Sequence, residues 1–164
     1  MGMIASPKIV GPTDGESVTL QTIGVRFMIP GADTDTRFSL VEHPIPPRGL
    51  AAPLHRHNRE DEYSYVLKGR MGALLGDDVV EAGPGDLVYK PREQWHTFWN
   101  AGDAPCEIIE VIAPAGFENF FREVAAAWGD MAAFAAINQK YALDMRFDSV
   151  PSLCQRFGLT FPEV

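Results

Sequence analysis

The stretch GLAAPLHRHNREDEYSYVLKG, residues 49–69, holds two of the four histidines of the chain, one residue apart. His55 and His57 are followed by a short charged run and then by aromatic and aliphatic residues. In a β-strand, residues i and i+2 face the same side, so a strand here would direct both imidazoles into one space. A lone pair of histidines at this spacing is more often a surface feature, so the rest of the chain decides its meaning.

Composition restricts the classes of protein that the chain can belong to. It has 164 residues, 46% of them hydrophobic and 22% charged, which is the profile of one soluble globular domain with a real core. The net charge is −8 and no run of Lys or Arg occurs, so we expect no nucleic-acid partner. No apolar segment is long enough for a membrane span and the first residues lack a signal pattern, so we expect no membrane partner and a cytoplasmic location.

Short apolar stretches separated by Gly and Pro occupy the chain up to about residue 112. They predict β-strands, and many short strands with few helical periods are typical of a sandwich or barrel. Gly76-Asp77 suits a tight hairpin turn with positive φ at its first residue. The predicted strands are VRFMI (25–29), RFSLVEH (37–43), EYSYVLKG (62–69), RMGALLG (70–76), DDVVEA (77–82), DLVYK (86–90), WHTFWN (95–100) and CEIIEVI (106–112).

After Pro114 the pattern becomes helical. In GFENFFREVAAAW (116–128), apolar residues recur at intervals of three and four, which predicts one face of a helix. Asp130 could cap a second helix, and Ser149-Val150-Pro151 could open a short third one. The apolar positions are Phe117, Phe120, Phe121, Val124 and Trp128 in the first helix, and Met131, Phe134, Ile137 and Tyr141 in the second.

These patterns divide the chain into three parts. We predict an N-terminal segment over residues 1–24, an all-β barrel over 25–113 and a helical extension over 114–164. The helices should dock on the barrel or on a partner subunit, because an aromatic stripe of this kind usually packs against something. The two cysteines, Cys106 and Cys154, fit no metal or redox spacing and are expected to be buried thiols.

A carboxylate and a third histidine complete a candidate metal site. Glu62 begins the next strand, and a hairpin between the two strands could bring it beside His55 and His57. His96 lies in a strand further along the chain. Three imidazoles and one carboxylate are a nitrogen and oxygen ligand set that suits a divalent first-row metal.

The spacing of these residues resembles the two signatures of the cupin superfamily. Residues 49–69 read Gly49, five residues, His55, one, His57, four, Glu62, six, Gly69. Residues 85–100 read Gly85, five residues, Pro91, then Glu93, two residues, His96, three, Asn100. The intervening stretch, residues 70–84, has the length found in compact single-domain cupins.

The resemblance implies a double-stranded β-helix, the jelly-roll-like cupin barrel, with one divalent transition metal per chain (Fe, Mn, Ni, Cu, Co or Zn). The ligands that it implies are His55, His57, Glu62 and His96. Asp61 is a competing carboxylate, but it is shorter and would point the other way along the strand. Glu93 stands where the family has glycine, which puts the turn before His96 in doubt. His43 lies outside both motifs and is interpreted as a strand residue near the barrel end.

Alternation along the strands predicts the substrate pocket. Phe98 and Asn100 share the inward parity of His96, whereas Trp95 and Trp99 face outward, toward the helices or a second subunit. The same rule sends residues 64 and 66 inward after Glu62. The predicted pocket residues are Phe98, Val66, Ser64 and Asn100.

Four protein ligands leave one or two positions open on a five- or six-coordinate metal, as a catalytic site requires. With the resemblance to quercetin-dioxygenase-like cupins, this favours O₂-dependent oxidation of a small enolisable or phenolic compound, with Glu62 as the base. Other cupins are isomerases or decarboxylases, or bind a small molecule or metal without turnover, so those alternatives stay open. The outward tryptophans and the aromatic helix stripe predict a homodimer.

Overall fold

The structure, a computed structural model, describes residues 6–20 and 22–162 and consists of two facing antiparallel sheets with helices after them. The six-stranded sheet has the order β1-β2-β3-β10-β5-β8, and the five-stranded sheet the order β11-β4-β9-β6-β7. The elements are β1 (Ser17–Leu20), β2 (Ile23–Ile29), β3 (Ser39–Ile45), β4 (Leu54–His57), β5 (Asp61–Lys68), β6 (Met71–Leu75), β7 (Asp78–Ala82), β8 (Leu87–Lys90), β9 (His96–Asn100), β10 (Cys106–Ala113), α1 (Glu118–Ala126), α2 (Met131–Lys140), β11 (Leu143–Arg146) and α3 (Val150–Phe157).

All eight strands predicted from the sequence are present, with ends that differ by two residues at most. The alternation that predicted them is visible in β10, where every second residue is buried between the sheets. Gly76 has a φ of 61° at the first position of the β6–β7 turn, as that tight hairpin requires. The jelly-roll-like barrel is therefore confirmed.

Two strands lie outside the predicted barrel boundaries. β1 belongs to the predicted N-terminal segment, yet it pairs with β2 and extends the six-stranded sheet. β11 belongs to the predicted helical extension, yet it pairs with β4 and extends the five-stranded sheet. The helical extension is thus partly a component of the barrel wall.

The C-terminal helices cover the barrel within the same chain. Phe117, Phe120 and Phe121 are buried as expected, but Trp128 lies beyond the end of α1 with 52% of its surface exposed. Asp130 caps α2 by accepting from two backbone N–H groups, as predicted. Met131, expected on the apolar side of α2, is 58% exposed because it starts the helix at the rim of the barrel.

The two outward tryptophans find their contacts inside the chain. Trp99 is buried beneath α3 and stacks on Phe157, with 4.4 Å between ring centroids. Trp95 lies under the guanidinium groups of Arg56 and Arg146, at 5.0 and 4.0 Å. The two tryptophans therefore no longer support a homodimer. The homodimer stays a prediction, which sedimentation at micromolar concentration tests. None of the described helices is long and apolar enough to cross a membrane.

Candidate metal centre

Three strands bring the four predicted ligands together inside the barrel. β4 supplies His55 and His57, β9 supplies His96 directly opposite His55, and β5 supplies Glu62. One ligand atom from each lies within 4.8 Å of the others, and all four side chains are buried. The i, i+2 spacing of His55 and His57 therefore does direct both imidazoles into one space.

The hairpin expected between β4 and β5 is not formed. β4 belongs to the five-stranded sheet and β5 to the six-stranded one, so residues 58–60 cross between the sheets. At the start of this crossing, the side chain and the backbone N–H of Asn58 both donate to the carbonyl of Ala142, the residue before β11. Glu62 consequently faces the histidines from the opposite wall, with its two oxygens 3.3 Å from His57 Nε2 and 3.3 Å from His96 Nε2.

Backbone carbonyls orient two of the three imidazoles. His55 Nδ1 lies 2.8 Å from the Pro53 carbonyl, and His96 Nδ1 lies 3.0 Å from the Gln94 carbonyl. Because a carbonyl can only accept, each Nδ1 carries the proton and each Nε2 keeps its lone pair for the centre. Within the described chain, Nε2 of His57 and of His96 are buried without a hydrogen-bond partner, which is costly unless an ion binds there.

Two of the imidazoles, those of His55 and His57, are neutral near neutral pH, as metal ligands must be. Burial holds the pKa of His55 well below its usual range and lowers the pKa of His57 to about 4. A neutral imidazole offers a lone pair without first losing a proton, so metal binding does not compete with protonation near neutral pH. The donor set, its orientation and its protonation state thus all fit a divalent transition metal.

A buried charge network lies behind Glu62. The Lys90 Nζ atom is 3.1 Å from a Glu62 oxygen and 2.8 Å from a Glu110 oxygen, and the Ser64 hydroxyl donates to Glu110 at 2.7 Å. Burial alone would raise the pKa of Glu62, but His57 and the Lys90 ammonium hold it well below its ordinary value. Burial would likewise lower the pKa of Lys90, and the two carboxylates outweigh it. Glu62 is therefore ionised and fixed in place.

Two doubts from the sequence are answered by local geometry. Asp61 accepts hydrogen bonds from Arg92 on the outside of the barrel, so the competing carboxylate points away from the centre. Glu93 adopts a left-handed conformation with a φ of 65°, and its N–H donates to the His57 carbonyl at 2.7 Å. The turn before His96 forms without glycine and is tied to a ligand strand.

A cavity of about 100 Å³ opens beside His55, His57 and Glu62. Phe98 lines it, as predicted. Val66, Ser64 and Asn100 are buried and face inward, but none of them lines this cavity. Ser64 is turned to Glu110, Val66 packs in the core, and Asn100 binds the Ile45 and Ala104 carbonyls. Strand alternation correctly predicted that these three side chains face inward, but it could not show that they lie away from the cavity.

Several lining residues were missed by sequence reasoning. α1 covers the cavity with Phe117, Phe120 and Phe121, so the aromatic stripe is also a cavity wall. Glu110 and His43 add polar groups from the six-stranded sheet. His43, interpreted from the sequence as a strand residue near the barrel end, lies in β3, is 2% exposed and lines the cavity. Only the pairing register of β3 and β10 reveals this.

The fold and the site define a jelly-roll barrel with a buried candidate metal centre, and comparison with known proteins relates this barrel to a family. Residues 42–112 match the family model described as Cupin domain. The barrel of this chain is therefore a cupin domain.

Known proteins similar to this chain resemble it mainly through the barrel. An uncharacterized protein of Methanocaldococcus jannaschii is 34% identical over 65 residues, which are 40% of this chain and 52% of that protein. The chain thus spans about half the length of the curated relative that it matches.

Three solved structures share the fold at low sequence identity. KdgF from Halomonas sp. is 15% identical with a TM-score of 0.61, covering 70% of this chain and 99% of that one. A predicted oxalate decarboxylase from Thermotoga maritima is 17% identical with a TM-score of 0.61, covering 65% and 99%. The nucleoside dehydratase Pac13 of Streptomyces is 18% identical with a TM-score of 0.56, covering 70% and 88%. At these identities the likeness shows the fold alone.

Proposed function

We propose that this cupin is a metal-dependent enzyme that oxidises a small enolisable or phenolic compound with O₂. The observation that carries the proposal is the convergence of three imidazoles and one carboxylate at the inner end of an apolar cavity. Four protein ligands leave at least one position of a five- or six-coordinate metal free on the cavity side. A structural metal site would have no such opening.

His55, His57, Glu62 and His96 would hold one divalent transition metal. When bound, the ion would supply Lewis acidity and, for iron, manganese, nickel or copper, electron transfer between the organic substrate and O₂. With a single carboxylate among the ligands, the site keeps a net positive charge that attracts an anionic substrate oxygen.

Glu62 is the group that would accept a proton from the substrate. Its carboxylate is ionised next to the Lys90 ammonium and lines the cavity. Lys90 can compensate the change in charge when the proton arrives, because it is bonded to both Glu62 and Glu110. Phe98 and Phe117 line the same space and exclude water from it.

Oxygen consumption tests the proposal. Protein reconstituted separately with iron, manganese, nickel or copper is offered diketones, catechols and flavonols in an oxygen electrode. Glu62→Gln keeps the shape but removes the charge and the base, so turnover should fall further than metal content does. Phe98→Ala should instead raise KM, because it removes apolar lining without touching a ligand. If no substrate consumes O₂ above the rate with free metal, the oxidase proposal is wrong.

A second candidate, an isomerase that moves protons without O₂, is favoured by one observation. His43 and Glu110 line the cavity and are ionisable groups that a purely oxidative reaction does not need. Zinc-loaded protein under anaerobic conditions separates the two candidates, because only the isomerase would convert its substrate into a rearranged product there. Binding without a rearranged product or oxygen uptake would leave a non-catalytic cupin that binds a small molecule.

A further inference from the structure

We propose that His43 recognises a hydrogen-bond donor on the ligand, so that the cavity takes a small compound with three parts. These parts are an oxygen at the metal centre, an apolar body of about one ring, and a hydroxyl or N–H group that donates to His43 Nε2. The inference rests on the proposed function in one respect, that the ligand is the compound bound at the four-ligand centre.

The His43 side chain is held in a single orientation. Its Nδ1 lies 3.0 Å from the Gly24 carbonyl on the neighbouring strand β2, and its ring packs edge-on against Phe121 at 5.4 Å between centroids. Since a carbonyl can only accept, Nδ1 carries the proton, and Nε2 on the other side of the ring carries the lone pair. Among the described residues, Gly24 is the only hydrogen-bond partner of this side chain.

The free ring nitrogen of His43, Nε2, can act only as an acceptor. Burial lowers its pKa to about 4, so the ring is neutral near physiological pH and offers no positive charge to an anion. Its Nε2 has no donor among the described residues. A hydroxyl or N–H group placed there would form a hydrogen bond that a ligand without such a group cannot form, which gives the cavity a means of selecting its ligand.

The charges of the cavity disfavour a ligand that carries a phosphate or a distal carboxylate. The described lining contains neither Lys nor Arg, and apart from the metal ligands its ionisable members are His43, Glu110 and Asp130. A phosphate or a distal carboxylate would thus meet acidic groups and no cation. Together with the phenylalanines of α1, this favours an uncharged, flat apolar body over a phosphate ester.

The size of the cavity agrees with a single ring. A cavity needs about 10–15 Å³ to hold one water. The cavity, at about 100 Å³, is several times larger, and it extends from Glu62 to the rim formed by Trp128 and Met131.

Calorimetric binding to zinc-loaded protein tests the inference without any turnover. The probes are benzoate and its 2-, 3- and 4-substituted hydroxy, amino and methoxy derivatives. At least one hydroxy or amino isomer should bind roughly tenfold tighter than benzoate, which is the worth of one added hydrogen bond to a buried acceptor. The methoxy analogue at the same position should lose the gain, and the hydroxy and amino series identify the preferred donor.

Variants of His43 locate the effect. His43→Leu should abolish the tenfold preference while benzoate still binds. His43→Asn serves as a second variant, because its amide can keep the bond to Gly24 while lacking an acceptor at the Nε2 position. Phe121→Leu is the matched control: it lines the cavity and contacts the same ring, and it should weaken every probe equally without removing the preference.

Three results would overturn the inference. No preference in the wild-type protein, or no binding of any probe at millimolar concentration, would exclude the ligand class. A preference that survives both His43 variants would place the hydroxyl at the metal instead. Failure of oxygen uptake alone would leave the inference standing, since binding to the zinc protein does not depend on oxidation.

Discussion

The two sheets bring different chemistry to the same centre. The five-stranded sheet supplies three imidazoles, two of them held by backbone carbonyls that lie just before their strands. The six-stranded sheet supplies ionisable groups that hold one another, Glu62, Lys90 and Glu110. Local backbone orients the nitrogen ligands, whereas long-range pairing orients the charges. Substitutions in the five-stranded sheet should therefore lower metal affinity, and substitutions in the six-stranded sheet should lower the stability of the fold.

The largest effect is expected from Lys90→Met. The change leaves Glu62 and Glu110 buried without a cation, and breaking a buried ion pair in this way costs roughly 3–5 kcal/mol. Urea unfolding of the metal-free protein measures this loss. Lys68→Met is the control, since Lys68 pairs with Glu107 at the surface and should cost less than about 1 kcal/mol. Equal stability of the two variants would show that the network does not hold the six-stranded sheet.

On the other sheet, His96→Ala should act on the metal rather than on the fold. Loss of an outer partner of a metal ligand weakens metal affinity roughly 10–100-fold, and loss of a ligand itself should exceed that range. Circular dichroism should stay near wild type, because the barrel core does not depend on this side chain. His43→Leu is the control and should keep its metal. A His96→Ala protein with full metal content would contradict the ligand assignment.

A smaller effect is expected from pH on His43. Its pKa of about 4 in the folded protein lies below the unfolded value of 6.5, so its contribution to stability is present above pH 6.5 and is lost as pH falls toward 4. Leucine has no proton to bind. The free energy of unfolding of metal-free His43→Leu, relative to wild type, should therefore rise by at most about 3 kcal/mol between pH 7.5 and 4.5. A constant difference across this range would mean that His43 is solvated.

The smallest effect is expected at Glu93, in the turn between β8 and β9, where its N–H donates to the His57 carbonyl. A side chain in the left-handed region costs roughly 1–2 kcal/mol, and glycine removes this cost while adding some entropy to the unfolded chain. Glu93→Gly should raise the free energy of unfolding by about 1 kcal/mol, and Glu93→Ala, which keeps the strain, should change it little. A destabilised glycine variant would show that the glutamate side chain itself supports the turn.

The contrast between the sheets also explains what sequence could reveal. The four ligands lie in two short motifs whose spacing is fixed by strand geometry, so they could be predicted without knowing which strands pair. Lys90, Glu110 and His43 lie on three different strands and are not among the fixed positions of either motif. They meet only through the register of β3, β10, β5 and β8, and that register is not written in any one stretch of sequence.

Two wrong expectations have the same origin. The hairpin between β4 and β5 was expected because they are neighbours in sequence, but pairing across the barrel decides which sheet a strand joins. β11 was missed because four residues with a mixed polar pattern give little signal between two helices. In both cases the fold was decided by contacts between residues distant in the chain.

The pairing of β11 with β4 has a consequence for the order of events during synthesis. β4 meets β9 only at the His55–His96 pair, whereas β11 pairs with it from Leu143 to Arg146. On the ribosome, Arg56 emerges 88 residues before Asp144, the residue that it meets in the finished sheet. Until then the strand with two imidazoles lacks its outer neighbour. We therefore expect a metal to bind only after β11 has been synthesised, rather than to the shorter nascent chain.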